Sequence, residues 1–181
     1  MIVDAILEHL RSALQANLID NVPAGDDTRA GYVKIGPYQG DPTPEEGRIT
    51  VSIHENDPDG IVNSGVTAMQ RDWSDAIEVI EIGGAATMER QFTIKARCLL
   101  SSTREGEADA RRIAFAVRGR IESTLKKLSF SSIRTDDEYV ARGALGNELK
   151  VEMLQAGGPP DAFDYNIKVH FTVLTTQIGL L

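Results

Sequence analysis

A single cysteine, Cys98, stands in this chain. An intrachain disulfide is therefore impossible, and the composition fits a reducing compartment. Histidine is almost as scarce: His9, His54 and His170 have none of the spacing that zinc ligation needs. One tryptophan, Trp73, makes no stacking platform for bases. No apolar run approaches the ~18 residues of a membrane span. The opening "MIVDAILEHLRSAL" does not read as a secretory signal, because Asp4, Glu8 and Arg11 interrupt it and no basic region leads it. The chain thus reads as soluble and made in the cytoplasm. Basic charge is also in deficit. A net charge of -8 repels phosphates at long range and argues against a general nucleic-acid or anionic-membrane binder, though it leaves room for a local basic patch.

Catalytic signatures are missing as well. There is no G-x-x-x-x-G-K-[ST] phosphate loop and no nucleophile elbow. "HENDPDG" (54–60) imitates a calcium loop: with Glu55 at position 1, Asp57, Asp59 and Gly60 fall on positions 3, 5 and 6. Position 12 is Val66 where a bidentate glutamate is required, and Pro58 intrudes, so a turn after a strand is the better reading. Cys98 lies on the apolar face of its strand while His54 and His170 lie on polar faces, which favours a buried structural cysteine over a thiol–imidazole pair. No cofactor and no metal is expected.

What is present is an architecture. At 181 residues one domain is the default, with about 70% of the unfolded surface available for burial. Val3, Ile6, Leu7, Leu10, Leu14 and Leu18 make one apolar stripe, a helix over about 2–18. A short strand is expected at Tyr32–Ile35. The loop 36–47 follows, rich in proline and glycine. "RITVSIHE" alternates, with Ile49, Val51 and Ile53 inward and Arg48, Thr50, Ser52 and His54 outward. A second long irregular stretch covers 55–75, and "AIEVIEIGG" (76–84) is strand-like. "QFTIKARCLL" places Phe92, Ile94, Ala96, Cys98 and Leu100 inward. After the second helix a short strand is expected near Ser131–Arg134. "NELKVEMLQA", with Leu149, Val151 and Met153 on one face, is joined by "GGPPD" to "DYNIKVHFTVLTT", with Tyr165, Ile167, Val169, Phe171 and Val173 on one face. That is a closing hairpin. With no repeating βα units, the order predicts an α+β domain: a mostly antiparallel sheet with an N-terminal helix and one long helix on one face.

The long helix is the most informative element. Ser102-x-x-Glu105 forms a capping box, and Lys126 and Lys127 sit at the negative end of the dipole, so the helix is expected over about 103–128. On a 100° projection Ala110, Ile113, Ala114, Val117, Ile121, Leu125 and Leu128 share one arc, the core face. Arg111, Arg112, Arg118 and Arg120 crowd into ten residues but point in separate directions. The pairs Glu107–Arg111, Arg118–Glu122 and Asp109–Arg112 answer them at helical spacing. A braced, solvated helix face is the first reading of these arginines. On the side away from the core, Ala108, Phe115 and Gly119 cluster among the charges. A phenylalanine beside a glycine, flanked by arginines, also describes the centre of a subunit contact, for which Arg111, Arg112, Phe115, Arg118 and Gly119 are the candidates.

With these elements placed, the chain resembles the tail-terminator and tail-completion proteins of long-tailed bacteriophages. The shared plan is an initial helix ("MIVDAILEHLRSAL"), strands with long loops, a strand running into a long helix ("FTIKARCLLSSTREGEADARRIAFAVRGRIESTL"), and a closing hairpin ending in "DYNIKVHFTVLTT". The plan covers most of the chain and carries over no single functional residue. The resemblance implies a non-catalytic virion protein at the head–tail interface. It forms a ring, typically sixfold, on the finished tail tube and meets the head connector or stopper. DNA passes through the lumen without tight binding, which the acidity suits. The loops 36–47 and 55–75, with Tyr38, Gln39, Asp57 and Asp59, would then reach the neighbouring ring. Competing readings are another connector or tube-related subunit, a small cytoplasmic enzyme or ligand-binding domain, and a DNA regulator acting through Arg112 and Arg120.

Overall fold

A computed structural model describes residues 2–36, 48–55, 87–101, 106–136, 138–142, 150–156 and 162–177. The chain opens with α1 (Ile2–Gln15), whose stripe Ile2, Val3, Ile6, Leu7, Leu10 and Leu14 is buried throughout. The helix expected to run on to 18 instead widens into a π turn, Ala16–Asp20, in which the Asn21 amide bonds to the Ala16 carbonyl at 2.9 Å. That extra residue per turn leaves Leu18 fully buried, with its carbonyl accepting from the Ala30 amide at 3.0 Å.

Three strands follow: β1 (Tyr32–Ile35), β2 (Ile49–Glu55) and β3 (Thr87–Ser101). Gly36 takes the chain out of β1 at a φ of 118°, a conformation that costs glycine little. The second helix of the described residues, α2, spans Gly106–Lys127, and β4 (Glu138–Arg142), β5 (Lys150–Ala156) and β6 (Ala162–Gln177) are the last described elements. The strand expected at Ser131–Arg134 is not there. Those residues form a turn with one bridge, Arg134 to Tyr139, and the strand lies later, at β4. Ile133 and the preceding Phe130 are buried in the core, and the Ile133 carbonyl accepts from the Val140 amide at 3.1 Å.

The six strands of the described residues form one sheet in the order β1-β2-β3-β6-β4, with β5 also paired to β6. Only β1 with β2 is parallel; β2–β3, β3–β6, β4–β6 and β5–β6 are antiparallel. The long ladder from Thr87↔Thr176 to Ser101↔Ala162 makes β3 and β6 the spine. An α+β architecture follows: two helices and a mostly antiparallel sheet. The strand-like stretch 76–84, the capping box at Ser102 and Glu105, the turn 157–161, Leu149, and the side chains of Glu107, Val151, Met153 and Phe171 lie outside the described residues.

One core holds the elements together. Ile6, Leu10 and Leu14 of α1 and Ile113, Val117 and Ile121 of α2 meet Val51, Ile53, Phe92, Ile94, Ile167 and Val169 of the sheet. All six residues expected inward on α2 as far as Leu125 are buried, and Leu128 packs partly against the same cluster. Each large side chain contributes roughly 1.5–3 kcal/mol by leaving water. At the other face of the sheet the strict alternation breaks down: Thr50, Ser52 and Thr93, expected outward, are 2%, 4% and 2% exposed.

Candidate functional site

The outer side of α2 follows from its inner side. Once Ala110, Ile113, Ala114, Val117, Ile121 and Leu125 turn to the core, Ala108, Arg111, Arg112, Phe115 and Gly119 must face away, and all five are exposed. Phe115 is 43% exposed, and the Arg111 guanidinium lies over its ring at 5.6 Å. Ala108, Arg111, Arg112 and Phe115 line a shallow, open depression. Space beside Gly119 is open: a Cβ built there meets no atom within 4 Å. Arg118, half-buried, donates from Nε to Glu122 Oε1 at 2.8 Å. The structure thus brings Arg111, Arg112, Phe115 and Gly119 onto one exposed side and ties Arg118 down beside it. Tyr38, Gln39, Asp57 and Asp59 lie outside the described residues.

Two arginines are engaged by residues that helical spacing does not reveal. Arg112 donates from Nη2 to Asp27 Oδ2 at 2.7 Å, and its contact with Asp109, the expected partner, is longer at 3.6 Å. Arg120 approaches Asp26 at 3.9 Å. Asp26 in turn accepts from the Thr28 hydroxyl at 2.6 Å and the Thr28 amide at 2.8 Å. Those two bonds, Thr28 hydroxyl first, hold its carboxyl below the ordinary 3.8, with help from the charges of Arg120 and Arg112. The loop after α1 is therefore strapped to α2. "DD" at 26–27 could have been recognised as a partner only by knowing that this loop returns to the helix. These contacts occupy the arginines within the chain and leave Phe115 as the apolar centre of the face.

His9 is not simply a surface residue of α1. Its Nε2 donates to the Ser129 carbonyl at 2.8 Å and its ring meets Phe130 edge-on at 5.4 Å. Among the described residues no group of three His, Cys, Asp or Glu side chains is placed to hold a metal ion. Cys98 is fully buried, and burial, reinforced by the nearby Asp164 carboxylate, pushes its thiol up to about 12. That shift keeps the thiol protonated at neutral pH.

The outer face of the sheet holds a second polar assembly. Arg97 grips Asp164 from Nε at 3.0 Å to both carboxylate oxygens and from Nη2 at 2.6 Å. The aspartate is almost fully buried. Thr93 and His170, cross-strand partners, share a hydrogen bond of 3.0 Å through Oγ1 and Nδ1. The His54 imidazole stays neutral further down in pH than usual, first because it is desolvated and then because Lys95 and His170 stand near. No helix of the described residues is long and apolar enough to cross a membrane. No known family model matches the chain, and no characterised protein matches it significantly in sequence.

Proposed function

We propose that this chain is a structural subunit of a bacteriophage virion, a tail-terminator-like protein that acts by shape and contact. Copies of it assemble into a ring, sixfold in this reading, on the end of the tail tube. One side of the ring meets the tail-tube protein and the other the head connector or stopper, and genome DNA passes through the lumen. In the same reading β5 and β6 are the closing hairpin, joined by the turn 157–161, and the loops 36–47 and 55–75 reach the adjoining ring. The plan supporting this is the order of elements: an initial helix, a sheet with long connections, a strand leading into a long helix, and paired last strands.

The observation that carries the proposal is the outward side of α2. An exposed phenylalanine stacked with Arg111 and bordered by Arg112 and Gly119 combines the residue types that anchor protein contacts. The arginines already have acidic partners in their own chain at Arg112–Asp27 and Arg118–Glu122, so a second copy meets a pre-ordered surface. Light scattering on the size-separated protein tests this. A multimer in the wild type, alone or on tail tubes, that Phe115→Asp converts to a folded monomer is the expected result. A strict monomer at high concentration that also fails to join tail tubes contradicts it.

A further inference from the structure

Cross-strand register puts three polar rows on the outer face of the sheet. Thr50 pairs with Arg97 and Arg97 with Asn166; Ser52 pairs with Lys95 and Lys95 with Lys168; His54 pairs with Thr93 and Thr93 with His170. Two of these rows enclose a pocket of about 230 Å³ lined by Thr50, Ser52, Lys95, Arg97, Asp164 and Lys168.

The pocket has an unbalanced charge. Directly opposed residues on antiparallel strands hold their Cβ atoms about 4.5–5.5 Å apart, and like charges there are destabilising. Lys95 and Lys168 are such a pair; on its other side Lys168 is opposed by Glu152 of β5, whose side chain lies outside the described residues. The carboxylate in the wall does not relieve them, because Asp164 is taken up by three contacts with Arg97. Arg97 and Asp164 cancel; Lys95, opposed by Ser52 and Lys168, is left without an acidic cross-strand neighbour.

The floor is unbalanced in hydrogen bonding. Thr50 and Ser52 are 2% and 4% exposed, and neither hydroxyl has a hydrogen-bond partner. Buried hydroxyls are normally satisfied, and each one left unpaired costs free energy. Both line the same pocket as the lysines. Two hydroxyls below and two ammonium groups beside them form a site rich in donors. The group that answers it has several acceptor oxygens and a negative charge.

We propose that this pocket, formed by Thr50, Ser52, Lys95 and Lys168, binds a phosphate group. The volume admits the group with a small substituent and excludes a base pair. The phosphate belongs either to a small free anion or to a nucleic-acid backbone. The inference is independent of the ring: it concerns the sheet face remote from Phe115 and holds for a monomer.

Calorimetric titration of the full chain with sodium phosphate, at ionic strength held constant with sodium chloride, is the test. Saturable binding of one phosphate per chain is expected in the wild type and in the control Lys34→Gln. Lys95→Gln and Lys168→Gln should each weaken it by about tenfold or more, the scale of one lost charge-assisted hydrogen bond. Lys95→Glu, which replaces the like-charge pair by an opposite one, should melt higher than wild type in chloride and bind no phosphate, separating loss of binding from loss of fold. Absence of saturable binding in the wild type, or unchanged affinity in both glutamine variants, overturns the proposal. A short mixed-sequence duplex that competes with phosphate assigns the site to the DNA backbone; a duplex that does not compete assigns it to a free anion.

Discussion

Cys98, Arg97 and His54 lie within one patch of the sheet, and each is controlled by a different term. Cys98 faces the core and is desolvated, so at pH 8 its thiol, pushed up to about 12, is almost wholly protonated. Alkylation with iodoacetamide followed by mass spectrometry should show no label in the native protein and one label per chain after denaturation. Rapid native labelling would mean that the strand opens locally. Arg97 faces outward, and its fork-like contact with Asp164 spares a buried carboxylate from isolation. Arg97→Met should destabilise the protein by roughly 3 kcal/mol in urea unfolding, because it leaves that charge unpaired. A loss under 1 kcal/mol would show that water solvates Asp164 adequately. His54 titrates lower in the folded chain than the 6.5 of the free side chain. Below pH 6.5 the unfolded chain therefore binds more protons, and the contribution of His54 to stability is lost as pH falls from there through the folded value. Unfolding free energy should decline over that interval in the wild type and decline less in His54→Gln.

At the level of elements, α2 separates a buried face from an exposed one, the face proposed above for subunit contact. Ile121→Ala removes a fully buried side chain and should cost about 2–5 kcal/mol by thermal or urea unfolding. Gly119→Ala adds a methyl group into open space on the exposed side and should stabilise the isolated subunit by roughly 0.5–1 kcal/mol. If the same substitution weakens multimer formation, Gly119 is retained for close approach of a neighbour. Both helices were legible because their stripes recur every three or four residues, and the strands facing them because Ile49–Val51–Ile53 and Phe92 through Leu100 alternate. The π turn at 16–20 was not, since Leu18 continues the α-helical stripe by residue count and only the bond from the Asn21 amide to the Ala16 carbonyl reveals the widened turn. Nor was β4, whose five residues, EYVAR, carry too little periodicity to register. The partners of Arg112 and Arg97 lie 85 and 67 residues away, and such pairings depend on a loop return and a strand register that local spacing does not encode. The outer side of α2 was legible because Phe115 breaks an otherwise charged face. The phosphate pocket was not, because Lys95 and Lys168 each look like an ordinary outward lysine until the strands are aligned.

For the whole molecule, the net charge of -8 shapes any assembly. Subunits of one sign repel, and the contact around Phe115 must outweigh that repulsion. Between roughly 0.01 and 0.15 M salt the screening length falls from about 30 to 8 Å. Ring formation should therefore strengthen over that range, read as a rising weight-average mass in sedimentation equilibrium; a falling mass would mean that the contact is made chiefly of intermolecular ion pairs. The same negative field suits a conduit that lets DNA slide and leaves phosphate recognition to a local pocket. The central claim is the ring itself, and electron microscopy of the purified chain mixed with tail tubes tests it most directly. Closed rings of this protein, sixfold in class averages, seated on one end of the tube and lost with Phe115→Asp, are expected. Bare tube ends together with isolated single subunits in the background would contradict it.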